Sequence, residues 1–221
     1  MSFASLLVNF MFAKGDKQRD AGLTTPDDMI RYDNISYGTK RKWNLLDLYR
    51  PRNVEGLLPV IISVHGGGWV YGTKEVYQYY CMSLAQSGFA VVNFNYRLAP
   101  GGKYPAQLED TNQVVKWVIE NADKYKLDLD NIFMVGDSAG AHLLALYCSF
   151  CTNTEYAAKY SFSSPEGFVP KAVALNCGIY SVTEAFKFQN GLLEKLAKDL
   201  LGRSFSPQRL ELIEPCLHIN E

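Results

Sequence analysis

The apolar run Asn131-Ile132-Phe133-Met134-Val135 ends in Gly136-Asp137-Ser138-Ala139-Gly140, and apolar residues dominate again from Ala141 to Leu146. A buried strand, a serine between glycines and then a helix make a sharp turn that lifts the hydroxyl out of a sheet edge. The glycines are needed because side chains beside so tight a turn collide with neighbouring backbone. The helix that follows aims the positive end of its dipole at the serine. By itself G-x-S-x-G also fits an ordinary turn, so its meaning depends on a second element.

That element is His65-Gly66-Gly67-Gly68-Trp69, which follows Leu58-Pro59-Val60-Ile61-Ile62-Ser63-Val64. Again an apolar run suited to a buried parallel strand ends in glycines. Without side chains, the N–H groups of such a loop can converge on an anion. Acyl transfer needs this, because the carbonyl oxygen becomes an oxyanion, and one donor in such a hole is worth roughly 10²–10³ in rate. A plain loop or a phosphate cradle is the alternative for three glycines alone. Paired with the serine turn, the oxyanion reading is preferred.

Together these segments resemble the α/β-hydrolase fold and, within it, the hormone-sensitive-lipase-like esterases, marked by an H-G-G-G loop and a G-D-S-A-G turn. Asn95-Tyr96-Arg97-Leu98-Ala99-Pro100, Tyr104-Pro105-Ala106 and Asp110 match that family's segment after its fourth strand, and the likeness runs from about Ile35 to about Tyr180. The resemblance implies that Ser138 is the nucleophile and that the N–H groups of Gly67, Gly68 and Ala139 form the oxyanion hole. It implies a small carboxylic ester, acetyl or short acyl, cleaved through an acyl-enzyme, with neither a metal nor an organic cofactor. Arg97 and Asp110 are expected to be structural, and Asp137 is expected to point away from the serine side. Trp69 and Tyr71 either line the substrate entrance or pack as aromatics.

A serine hydroxyl needs a base, which in this chemistry is a histidine oriented by a carboxylate. In this fold the order is Ser, then Asp or Glu, then His. The histidines are His65, His142 and His218. By the resemblance, His65 shapes the loop. His142 lies one turn into the helix and reads as a packing residue, and His218 is a poor candidate for the base. The last strands and the acid–base pair are therefore expected beyond Glu221, and the chain as it stands is expected to be inactive. A ligand-binding protein on the same scaffold, lacking catalysis, is the rival reading.

With 48% apolar residues over 221 positions, the chain can bury one α/β core. Its 22 basic and 23 acidic residues give no basic patch for a nucleic acid. Five cysteines without framework spacing favour a reducing cytoplasm. Cys148-Ser149-Phe150-Cys151 spells C-x-x-C, but without a second ligand pair it reads as small thiols on a helix face. The apolar Met1–Ala13 segment lacks a basic leader region and is too short to span a bilayer. It is expected to be an amphipathic helix whose Leu6, Leu7, Phe10 and Met11 form one apolar stripe. A homodimer is left open.

Strand and helix patterns alternate, the mark of a mostly parallel sheet with helices on both faces. An antiparallel pair at Ile35–Gly38 and Leu45–Tyr49 should precede strands at Val60–Val64, Ala90–Asn95, Ile132–Val135 and Lys171–Asn176. Helices are expected at Tyr77–Ser87, at Pro105 to about Ala122 and at Glu184–Leu201, the last closed by Gly202. The expected organisation is one domain over 1–221, with residues 1–20 and 182–203 as segments of a partial helical cap.

Overall fold

The computed structural model describes residues 2–188 and 191–219. Helix α1 (Phe3–Arg19) precedes β1 (Met29–Ser36), β2 (Leu45–Pro51) and β3 (Leu58–Val64). Then come α2 (Lys74–Gln86), β4 (Ala90–Phe94), α3 (Ala106–Glu120), the single turn α4 (Ala122–Tyr125) and β5 (Leu127–Asp137). The remainder is α5 (Ala139–Thr152), α6 (Thr154–Ala157), β6 (Ala172–Asn176), α7 (Val182–Phe186), α8 (Leu192–Leu201), α9 (Pro207–Glu211) and a 3₁₀ turn at Pro215–Leu217.

The six strands lie in the order β1-β2-β4-β3-β5-β6. The β1–β2 and β2–β4 pairs are antiparallel, and the other three are parallel. From β3 the chain crosses to β4 on one side and then returns through α3 to β5 on the other. The sheet therefore reverses its winding beside β3, and a crevice opens at the carboxyl ends of β3 and β5. Register sharpens this, because Val64 lies beside Gly136 and Ser63 beside Val135. Both glycine-bearing turns leave the sheet at the same level.

Period-two alternation distributes the core to both faces. Val60, Ile62 and Val64 pack with Val114, Val118, Leu143 and Leu144 under α3 and α5. Ile61, Val91 and Val135 point the other way, onto Cys81, Met82 and Ala85 of α2. β6 is an edge strand of this sheet, pairs with β5 alone and leaves most of its residues exposed.

Two expectations need correction. The helix foreseen at Glu184–Leu201 is two helices, α7 and α8. Gly191, at φ 71°, caps the start of α8 in a left-handed conformation that a continuous helix excludes. Pro105 stands before α3 as its cap residue and not inside the first turn. Leu6, Leu7, Phe10 and Met11 do form one stripe along α1, but the stripe is largely exposed, with Met11 at its edge lining the cavity over Ser138. The inward residues of α1 are Ala4, Ser5 and Val8, while those four are exposed. The reason is polar: Ser5 Oγ and the Ser2 N–H both donate to Asp199 of α8, and Asn9 Nδ2 donates to Val70 O.

Arg97 and Asp110 prove structural. The fully buried Asp110 carboxylate accepts from the Arg97 N–H at 2.8 Å and from Asn44 Nδ2 at 3.1 Å, and lies 2.8 Å from Arg97 Nη2. They fasten the loop after β4 to α3. Removing the Asp110 carboxylate leaves the Arg97 N–H and the buried Asn44 amide without their acceptor, at a cost of about 1–3 kcal/mol, while the Arg97 guanidinium keeps Glu109 as a partner. Asp110→Ala should lower unfolding stability by that amount in a urea titration, with the m-value unchanged.

Candidate active site

Ser138 sits at φ 51° and ψ −113°, an arrangement that a residue with a side chain adopts only under constraint. The constraint is bonding on both sides. Its N–H donates to Asn176 O at the end of β6 (2.8 Å), and its carbonyl accepts from His142 N in α5 (3.0 Å). The flanking glycines are steric necessities. A Cβ on Gly136 would lie 2.6 Å from Gly140 O, and one on Gly140 would lie 2.0 Å from Val64 O. The first turn of α5 thus touches the end of β3 directly. Gly140→Ala should cost about 3 kcal/mol, the upper end of ordinary overpacking, read as a fall in chemical-denaturation midpoint.

Gly67 and Gly68 have φ 119° and 59°. A Cβ on Gly67 would meet Tyr71 O at 2.2 Å, because the Gly67 carbonyl is turned back to accept from Tyr71 N at 3.0 Å. No acceptor takes the N–H groups of Gly67 or Gly68 among the described residues. Ala139 is the first residue of α5, so its N–H has no intrahelical acceptor. Both sources of free amide hydrogens therefore border the Ser138 turn.

None of the three histidines offers a base to Ser138. His65 is fully buried, stacks on Tyr96 with ring centroids 4.1 Å apart and holds Nδ1 2.8 Å from Gly66 O. His142 is locked at both nitrogens. Trp69 Nε1 donates to its Nδ1 (3.2 Å), so Nε2 carries the hydrogen and donates to Ile213 O (2.9 Å). His218 stacks on Tyr156 and donates from Nε2 to Glu211 O (2.7 Å). Burial pushes the His65 and His142 imidazoles down to about 4, because the cation loses its hydration. A base whose folded pKa is depressed binds its proton more readily when unfolded. Stability is then complete above about pH 6.5 and falls toward pH 4, by about 3 kcal/mol for each ring. His142→Gln should flatten the dependence of stability on pH in that window.

A cavity of about 240 Å³ opens over Ser138 between the glycine loop, α2 and the inner side of α1. Met11, Phe12 and Val76 make its apolar wall, and Asp16 and Tyr71 belong to the same lining. Tyr71 Oη donates to Asp16 Oδ2 at 2.7 Å, which ties α1 to the loop. Trp69, by contrast, is core. α8 closes the loop from another side, with Leu196 Cδ1 3.1 Å from where a Gly68 Cβ would be. The N-terminal helix and α8 therefore meet over the glycine loop.

Tyr77 escaped the sequence reading. Its hydroxyl donates to Asp137 Oδ2 at 2.5 Å and lies against Gly66, so α2 clamps the glycine loop to the serine turn. Asp137 is thereby held by Tyr77. The signal was slight: Tyr77 falls one turn before the buried Cys81 on α2, a spacing that marks an inward face but not a clamp. No cluster of metal-ligating side chains occurs among the described residues.

The six-stranded, mostly parallel sheet with its helices is that of the α/β-hydrolases, and the wider likenesses agree. Residues 46–221 match the BD-FAE family, and the chain belongs to it. It is 34% identical over 182 residues to esterase LipQ of Mycobacterium tuberculosis, covering 81% of this chain and 41% of that protein. It is 36% identical over 126 residues to isoprenylcysteine alpha-carbonyl methylesterase ICME of Arabidopsis thaliana, covering 57% of this chain and 28% of that one. Among solved structures, an inhibited esterase B from Lactobacillus rhamnosis superposes with a TM-score of 0.89 at 25% identity, over 98% of this chain and 72% of that one. The chain thus spans well under half the length of these two sequence relatives.

Proposed function

We propose that the chain carries the nucleophile and oxyanion half of a serine ester hydrolase acting on small carboxylic esters. The observation that carries this reading is Ser138 itself, constrained at φ 51° beside amides with no acceptor among the described residues. Ser138 Oγ attacks the acyl carbon. The N–H groups of Gly67, Gly68 and Ala139 hold the developing oxyanion. The alcohol leaves with a proton, and water later releases the acid from the acyl-serine.

The cavity supports acetyl or short acyl groups, since about 240 Å³ lies below the usual ~300–1,000 Å³ of sites for larger ligands. α1 and α8 act as a partial cap, placing Met11 and Phe12 where an acyl or alkyl group would rest. The five cysteines are unpaired, which suits a reducing compartment such as the cytoplasm. No described helix is long and apolar enough to cross a membrane.

Proton removal is the missing function. With every histidine engaged elsewhere, the described residues bring no imidazole to Ser138 Oγ. Loss of the histidine from a serine triad costs about 10⁶ in turnover, and the oxyanion hole and binding retain roughly 10³–10⁴ over water. A small base in solution can replace the absent side chain. The full 221-residue chain mixed with p-nitrophenyl acetate should release nitrophenol slowly. Added imidazole should accelerate release beyond its own background, with acetyl found on Ser138 by peptide mass spectrometry. Ser138→Ala should abolish the imidazole-dependent part. Retention of that part in Ser138→Ala, or acetyl mapped to another residue, would refute the assignment. Saturable ester binding with no acylation at any imidazole concentration would support the ligand-binding alternative instead.

A further inference from the structure

Helix α1 is apolar well beyond the side by which it packs. Ala4 and Val8 join the core on its inward side, where Ser5 and Asn9 are fastened to Asp199 and Val70 O. At 3.6 residues per turn, Phe3, Leu6, Leu7 and Phe10 share the opposite face. All four are exposed, Phe3 at 82% and Phe10 at 72%. Neighbouring large apolar side chains displayed in this way form a contiguous patch, which calls for a partner.

The charges on the same face identify that partner. Following the stripe along the helix, Phe3, Leu7 and Phe10 lead to Lys14 and Lys17, both exposed. Neither lysine has a carboxylate partner among the described residues. The acidic residues of this region are turned elsewhere, with Asp16 held by Tyr71 and Arg19, and Asp20 held by Arg19. The face therefore reads apolar for its first turns and cationic for its last. A second copy presenting the same face would bring unpaired lysines and no carboxylates, and lysine is disfavoured in protein interfaces.

We propose that the outer face of α1 docks on an anionic lipid surface. The four apolar side chains would enter the acyl boundary, with Lys14 and Lys17 at the phosphates. At 17 residues the helix is about 25 Å long, shorter than the ~30 Å hydrocarbon layer, so it lies along the surface. Met11 borders this face and also lines the Ser138 cavity, which places the cavity mouth at the rim of the docked patch. The proposal rests on α1 alone and holds whether or not Ser138 acylates.

Flotation of the full chain with vesicles tests it. The protein should float with phosphatidylcholine vesicles containing phosphatidylserine, less with phosphatidylcholine alone, and less again as salt is raised. Leu7→Ser with Phe10→Ser should reduce partitioning into both vesicle types by at least about tenfold. Lys14→Gln with Lys17→Gln should reduce it about 30-fold on the anionic vesicles only. All four positions are exposed, so an unchanged melting temperature confirms that each variant is folded. Wild-type protein that floats with neither vesicle at low salt overturns the proposal. So does a dimer in sedimentation velocity, without lipid binding, that Leu7→Ser with Phe10→Ser dissociates, since the face would then be a contact between copies.

Discussion

Close contact between the start of α5 and the end of β3 is the constraint on which the rest of the molecule turns. A Cβ on Gly140 would stand 2.0 Å from Val64 O, so the helix after the serine lies directly against the strand before the glycine loop. That contact exists because Val64 and Gly136 are register partners in adjacent parallel strands. It leaves no room for a gentle turn at Ser138, which is driven to positive φ and held there by Asn176 O and His142 N. The same contact sets the glycine loop, with its unpaired amides, beside the hydroxyl. Strain at one residue and free donors at two others are consequences of one packing decision.

Around this contact the polar groups are disposed to stiffen and not to titrate near neutrality. His65 and His142 are buried and kept neutral, one stacked on Tyr96, the other bridging Trp69 to the Ile213 carbonyl. Tyr77 draws Asp137 toward α2, and burial beside that carboxylate holds its phenol well above the usual range. Two elements distant in sequence, α1 and α8, close over the loop through Asp199 and Leu196. The Ser138 turn and the glycine loop beside it are rigidly built. Among the described residues, each imidazole is bonded away from Ser138.

Much of this was legible in the sequence. Strand runs ending in glycine, at Val64 and Val135, marked the two turns, because buried parallel strands are continuously apolar and only glycine tolerates such backbone approach. The helix expected from Pro105 to about Ala122 is α3, with Val114, Val115 and Val118 buried in the core and Ile119 half-buried against it. The failures lie where local pattern and tertiary bonding disagree. Apolar spacing in α1 marked the stripe of Leu6, Leu7, Phe10 and Met11, but not that bonds to Asp199 and Val70 O would turn it outward. The apolar run Glu184–Leu201 suggested one helix, yet the chain turns between α7 and α8, with left-handed Gly191 capping the second.

What the sequence alone determined is the order of the strands and the two turns that bear glycine, since these depend on periodicity and on the steric demands of single residues. Tertiary structure alone decided that the turns meet, that Tyr77 clamps them, that each histidine is bound elsewhere and that α1 turns its apolar side outward. Those outcomes depend on which hydrogen-bonding groups come together across long stretches of chain. Buried polar groups must find partners, and no local pattern records where the partners lie.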